Sequence, residues 1–258
     1  MLDLWRRFQH KREERVLRER AIPEPLWQLT LARFPFLAQR NVEDLTELRR
    51  LATLFLDRKE FTGAGGFVVT DEVAVAVAVQ ACVPILRLDL SLYDGFVGIV
   101  IHPDEVVARR EVMDEDGVVH HYDEVLAGEA MEGGPVTLSW HDVASAGESA
   151  EMGYNVVIHE FVHKIDMLDG EPDGVPPLPS RAAREAWIAT LGAEYERVCG
   201  EVDAGHGTFL DPYGAEAEDE FFAVAAEAFF VAPREFALEH PELCRLFCDY
   251  FKQDPRLA

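Results

Sequence analysis

The sequence predicts an α+β fold in which helices dominate and a few short strands occupy the middle of the chain. Three observations lead to it. Apolar residues recur at three- and four-residue spacing between Pro23 and Lys59 and again between Ser180 and Cys199, the period of an amphipathic helix. Short β-branched runs bounded by Gly, Asp and Pro fall between Ile85 and Trp140. The run Tyr154–Asp166 is apolar except for a few groups, among them His159, Glu160 and His163, and reads as a buried helix.

In chain order, residues 1–22 read as a basic helical extension. Met1 to Arg20 holds seven basic and four acidic residues, +3 against −27 for the remainder. Leu2, Leu4, Trp5 and Phe8 would give a membrane-surface helix an apolar face, but docking on the acidic body explains the same charges. Residues 23–258 read as a single domain. One helix covers Pro25 to Leu31, and Asn41 caps another through Leu45, Leu48, Leu51 and Phe55. Phe61 to Gly66 reads as a Gly-rich turn. Val73 to Val79 alternates Val with Ala, yet both are apolar, so a buried helix to about Cys82 fits better than a strand, with Thr70 or Asp71 as its cap and Pro84 as its stop. Strands are expected at Ile85–Leu90, Phe96–His102, Val118–Val125 after the turn Asp114–Gly117, and Val136–Trp140. Asp169–Pro179 is a Gly- and Pro-rich loop able to border the cleft, Ser180 caps a helix to about Cys199, and Pro233 and Pro241 open two short closing helices.

Composition bounds the function. The chain has 258 residues and a net charge of −24, a surface that repels phosphate backbones and anionic membranes, so no direct nucleic-acid binding is expected. No apolar run reaches the roughly 20 residues that span a bilayer, and Arg6, Arg7, Lys11 and Arg12 interrupt any secretory h-region. A cytoplasmic location is expected. Cys82, Cys199, Cys244 and Cys248 show no disulfide framework. Cys244 and Cys248, four apart on a helix, are better read as buried thiols than as a second metal site.

The chemistry lies in His159-Glu160-Phe161-Val162-His163. Each helical residue turns about 100°, so the two histidines sit about 40° apart on one face. They can share one Zn²⁺ per chain, with Glu160 beside them to take a proton from water. A third ligand is sought downstream. Glu220 to Phe230 is an apolar helix with two carboxylates, Glu220 and Glu227, seven residues apart and so within about 20° of one face. Glu220 on the metal and Glu227 accepting a ligand histidine's N–H would satisfy both; an exposed acidic stripe is the alternative, and Glu216 and Glu218 are weaker ligands. Asp166, at the end of the histidine run, is assigned with Glu227 to supporting the ligands.

Asn155–Leu168 (NVVIHEFVHKIDML), Leu138-Ser139-Trp140, and Asp211-Pro212-Tyr213-Gly214 followed by Glu220–Val224 resemble the Mlc titration factor A family. Phe61-Thr62-Gly63, Val69-Thr70-Asp71, Gln80-Ala81-Cys82 and Pro103 extend the resemblance over about residues 20 to 252; His102-Pro103 departs from an expected Tyr-Pro pair. These are bacterial zinc-dependent peptidases whose active-site half is similar to lethal-factor-type metalloproteases. The resemblance implies a zincin-like core, a small mixed sheet packed on the two site helices, flanked by N- and C-terminal helices, with the strand Val136–Trp140 lying along the cleft to pair with extended substrate. It implies zinc on His159, His163 and Glu220, Glu160 as catalytic base, and Tyr213 as an oxyanion-stabilising hydroxyl. The implied activity is peptide hydrolysis, aminopeptidase-like on short peptides. The alternative it implies is regulatory: sequestering a glucose-responsive transcriptional repressor of the Mlc type. Gly128–Gly133 is also similar to the G-x-M-E-N stretch by which some zinc aminopeptidases hold a substrate amine. Its glycine is one place off and its asparagine missing, so a polar hairpin turn before Pro135 is the reading kept.

Overall fold

The computed structural model describes residues 2–113, 119–149 and 153–257. A mixed sheet runs in the order β1 (Glu60–Gly63), β2 (Gly98–His102), β6 (Val136–Ser139), β5 (Gly128–Ala130). β1, β2 and β6 are parallel, with Ile99 opposite Val136, while β5 runs antiparallel to β6 with Glu129 opposite Thr137. A separate antiparallel ribbon joins β3 (Val106–Met113) to β4 (Val119–Leu126). The turn expected at Asp114–Gly117 and the apolar set Leu2, Leu4, Trp5 and Phe8 fall on residues or side chains outside this description.

Helices make up the rest, so the fold is α+β and mostly helical. They are α1 (Leu2–Glu19), α2 (Glu24–Arg33), α3 (Pro35–Ala38), α4 (Val42–Arg58), α5 (Asp71–Ala81), α6 (Trp140–Ser149), α7 (Val156–Asp166), α8 (Arg181–Asp203), α9 (Glu218–Val231), α10 (Pro233–Glu239) and α11 (Pro241–Phe251). None among the described residues is long and apolar enough to cross a membrane. Caps start four of them: Asn41, Thr70, Asn155 and Ser180 each accept from the backbone N–H three residues on, satisfying a donor that the helix leaves open. α1 lies on α4, where Arg12 and Arg20 meet Asp57 at 3.3 and 2.8 Å and Glu13 meets Arg58 at 2.7 Å.

Every residue of α7 is buried. It packs on α9, α5, β5 and β6. Phe161 fills an aromatic cluster with its ring 5.5 Å from Phe55, 5.1 Å from Tyr93 and 5.8 Å from Phe96. Across α9, the rings of Phe222 and Phe229 pack on Trp187, Phe236, Phe247 and Phe251.

The structure corrects several expectations. Ile85–Leu90 is no strand: Val83, Leu86 and Leu88 donate back to Gln80, Val83 and Ile85, so local turns satisfy the backbone and Pro84 has no N–H for a ladder. Ile85 and Leu86 are buried, and a short buried apolar run carries no period that marks its structure. Part of the expected turn at Phe61–Gly66 is strand β1, with positive φ confined to Gly65 and Gly66. Trp140 opens α6 instead of closing a strand. β6 lies inside the sheet, so the edge facing the cleft is β5, the first arm of the hairpin that precedes Pro135.

That hairpin is tied down from α7. The Lys164 ammonium, 6% exposed, donates to Met131 O at 2.5 Å and Gly134 O at 3.0 Å, with its charge 4.7 Å from the centre of the Phe96 ring. Burial lowers the Lys164 pKa, opposed by the Glu160 charge. Replacing Lys164 with Met removes both bonds, each worth about 1.5–3 kcal/mol when the donor is charged. We expect faster amide exchange at Met131 and Ser139, which bond across the hairpin, with α9 protection unchanged. Unaltered exchange in Lys164→Met would show that the turn needs no such anchor.

Candidate metal centre and cleft

The site is assembled from the start of α7 outward. Asn155 accepts from Ile158 N at 2.9 Å, while its amide donates to Gln80 Oε1 at 2.7 Å; Gln80 in turn donates to Ala76 O at 3.1 Å. These fully buried amides satisfy one another. The Asn155 backbone N–H donates to Glu227 Oε2. The second Glu227 oxygen lies 2.7 Å from His159 Nδ1, so the proton on His159 sits at Nδ1 and the Nε2 lone pair faces the cleft.

His159 Nε2 lies 3.1 Å from His163 Nε2 and 3.0 Å from Glu220 Oε2, and His163 Nε2 lies 3.4 Å from that same oxygen. A tetrahedral ion held at ordinary Zn–N and Zn–O lengths needs its donor atoms about 3.3 Å apart. Three lone-pair atoms converge here, and a shared cation satisfies all of them at once. Burial disfavours the His159 imidazolium, yet Glu220 and Glu227 outweigh it and raise its pKa. Burial likewise opposes the Glu220 carboxylate, but the two histidines hold its pKa well below the usual carboxylate range. Among the described residues, His159, His163 and Glu220 form a group of three ligand-type side chains suited to a metal. Cys244 and Cys248 are free thiols, the first buried and the second half-buried.

Glu160 is 5% exposed and points at β5. Burial pushes its pKa up to about 7, against the lowering effect of His159 and His163. A Cβ on Gly128 would stand 2.5 Å from Glu160 Oε1 and 2.7 Å from its Cγ, so β5 passes over this carboxylate only as glycine. Tyr213 projects from the 3-10 turn Pro212–Ala215, whose N-cap Asp211 accepts from Tyr213 N at 2.9 Å. Its ring centre is 6.1 Å from that of His159. Asp166 bonds to none of these groups. It accepts from Gly174 N at 2.8 Å, tying the loop after α7 to the helix, and burial pushes its pKa up to about 7 against that hydrogen bond.

Two cavities of about 220 Å³ each meet at His159, Glu160, Tyr213 and Gly128. One continues between Tyr154, Val156 and Val224; the other opens past Glu129, Asp219 and Pro172. Gly128 entered the sequence reading only in a stretch set aside as a hairpin turn, and Tyr154 and the Asn155–Gln80 pair were not singled out for the site. Gln80 carried a signal, a lone amide in the apolar helix Asp71–Ala81, as did Asn155, a cap ahead of an apolar run.

The model of the glucose-regulated metallo-peptidase M90 family matches residues 6–252. The chain belongs to this M90 family. It is 36% identical over 245 residues to the uncharacterised protein slr2042 of Synechocystis sp., covering 94% of this chain and 88% of that one. It is 34% identical to the Mlc titration factor A of Escherichia fergusonii over 90% of this chain and 88% of that one, and 34% identical to that of Cronobacter sakazakii over 90% and 87%. Membership implies a bound metal, and the His159–His163–Glu220 group fits one.

The Glu227 contact generates a test. Glu227→Gln keeps the shape but has one oxygen for two donors, so either the Asn155 N–H or the His159 Nδ1–H faces an amide NH2 in place of an acceptor. Metal affinity should fall about 10–100-fold with the fold retained, read by chelator competition. An unchanged dissociation constant would leave Glu227 only its tie to Asn155.

Proposed function

We propose that this M90 chain is a zinc-dependent peptidase, aminopeptidase-like on short peptides, that binds one zinc on His159, His163 and Glu220. The observation that carries the reading is the convergence of those three donor atoms beside the buried Glu160 carboxylate, in a cleft bordered by the edge strand β5. On this reading α7, α9 and the small sheet form a zincin-like core, and residues 23–258 act as one peptidase domain behind the basic N-terminal helix.

When bound, the metal supplies Lewis acidity and lowers the pKa of a water toward about 7. Glu160 accepts the proton and later delivers it to the leaving amine; general acid–base help of this kind is worth about 10²–10⁴-fold. The Tyr213 hydroxyl donates toward the carbonyl oxygen as negative charge builds there. Glu227 holds the His159 tautomer that leaves Nε2 free to ligate. An extended peptide pairs with the outer edge of β5.

A second reading is regulatory. The relatives' name, Mlc titration factor A, and the net charge of −24 both suit capture of a basic DNA-binding repressor of the Mlc type in the cytoplasm. The two readings part on Glu160→Gln. Metal content and melting temperature should stay at the wild-type level while hydrolysis of short chromogenic peptides drops by about 10²–10⁴-fold. Wild-type turnover in this variant would sink the proposed base. Retained pull-down of a Mlc-type repressor would separate binding from hydrolysis, whereas loss of both would put the repressor in the cleft.

A further inference from the structure

A groove of about 400 Å³ shares no residue with the metal centre. Its floor is one face of α4, where Val42, Leu45, Thr46, Arg49, Arg50 and Thr53 recur at three- and four-residue spacing. Trp27 and Leu31 of α2 wall it, together with Leu17 near the end of α1 and Ala21 just past it. Leu17, Leu31 and Leu45 are only partly buried, and Val42 is 80% exposed. Folding therefore leaves a run of apolar surface here that the chain itself does not cover.

The charge of the groove runs against that of the chain. The net charge is −24, yet no Asp or Glu lines this space, and its charged residues are Arg49 and Arg50. Arg49 lies 5.6 Å above the Trp27 ring and donates from Nη1 to Glu24 and from Nη2 to Ile22 O at 2.6 Å. Arg50 donates from Nε and Nη2 to Glu47, at 2.8 Å each. A guanidinium has further N–H donors, and Arg49 Nε and Arg50 Nη1 have no hydrogen-bond partner among the described residues. The two ends of the α4 face thus differ. Val42 and Leu45 are apolar, and Arg49 follows Leu45 by one turn. From Val42 to Arg50 the helix rises about 12 Å, the reach of a medium-length alkyl chain.

We propose that this groove binds a medium-length, unbranched aliphatic carboxylate, with the carboxylate on Arg49 and Arg50 and the alkyl chain along Leu45 and Leu31 toward Val42. An apolar lining with a few placed polar groups is the usual make-up of a small-molecule site. A second copy of the chain, or an anionic bilayer, would meet the repulsion of the whole acidic surface. A small acid answers instead to the two guanidinium groups within a Debye length. Seated there it touches α1, α2 and α4 together, so it should hold α1 on the body and raise the melting temperature. The inference is independent of the peptidase reading.

The experiment titrates full-length protein with hexanoate, octanoate, decanoate and decanol, each below its micelle-forming concentration, by calorimetry and by Trp fluorescence. Each added methylene should tighten binding about 2- to 4-fold, and decanoate should bind about 10-fold more tightly than decanol through its charged hydrogen bonds. The fluorescence change should vanish in Trp27→Phe, since Trp27 lines the groove. Arg50→Gln should narrow the gap between decanoate and decanol. Thr46→Trp, at an exposed position on the groove floor, should fill the space and abolish binding. Melting temperature identifies a variant that has merely misfolded, and the wild-type ligand series stands without any of them. Three results would overturn the proposal: no binding of decanoate by wild type, equal affinity for decanol and decanoate, or unchanged decanoate affinity in folded Thr46→Trp. Dimerisation in sedimentation, or binding to phosphatidylglycerol vesicles, that Thr46→Trp removes would give the groove to a second copy or to a bilayer and overturn it likewise.

Discussion

The structure turns on one buried carboxylate. Glu227 is 1% exposed, and an isolated charge at such depth costs several kcal/mol. Both oxygens are occupied: one by the backbone N–H of Asn155, ahead of the first turn of α7, the other by Nδ1 of His159 one turn further on. Two bonds from one rigid group fix both the position and the rotation of α7 relative to α9. Glu220 follows from the same geometry. It stands seven residues before Glu227, nearly on the same face, and so arrives at Nε2 of the ring whose Nδ1 Glu227 holds.

Fixing α7 by its polar side leaves the apolar side to the core. Phe161 sits between Glu160 and His163 in sequence, yet it points into the cluster of Phe55, Tyr93 and Phe96. At about 100° per residue, a rotation that misaligned the histidines would have to drag that ring out of its aromatic neighbours. The ligand geometry is thus held by burial as well as by hydrogen bonds. Little ordering cost remains for metal binding, because folding has already met it.

Much of this was legible because polar residues in an apolar helix have few innocent explanations. His159, Glu160 and His163 on α7 and the pair Glu220 and Glu227 on α9 stood out for that reason, and capping residues marked the starts of α4, α5 and α8. What stayed hidden depends on contacts distant in sequence. Gly128 is required by Glu160, a neighbour only after folding. α6 reads Ala-Ser-Ala-Gly along its inner part, without an apolar period, and Gly147 is there because a Cβ would meet Arg33 O at 2.0 Å. β1 includes polar and glycine positions and pairs on one side only, so its propensity is weak. Ile85–Leu90 erred the other way. A local turn network took the backbone groups that a ladder would have used.

The misplaced cleft strand has the most consequence. β6 is apolar and central, with partners on both edges, so it can offer a ligand no backbone. β5 is three residues long and half-buried, Gly-Glu-Ala, with none of the propensity that marks a strand. Shortness and a charged residue are the features that keep an edge from pairing indiscriminately. Here they mark the stretch that passes beside Glu160, in a hairpin held by Lys164 of the very helix that carries the histidines. His159, Glu160, His163 and the hairpin that carries β5 are therefore all referenced to one buried helix, α7, against which α9 sets Glu220.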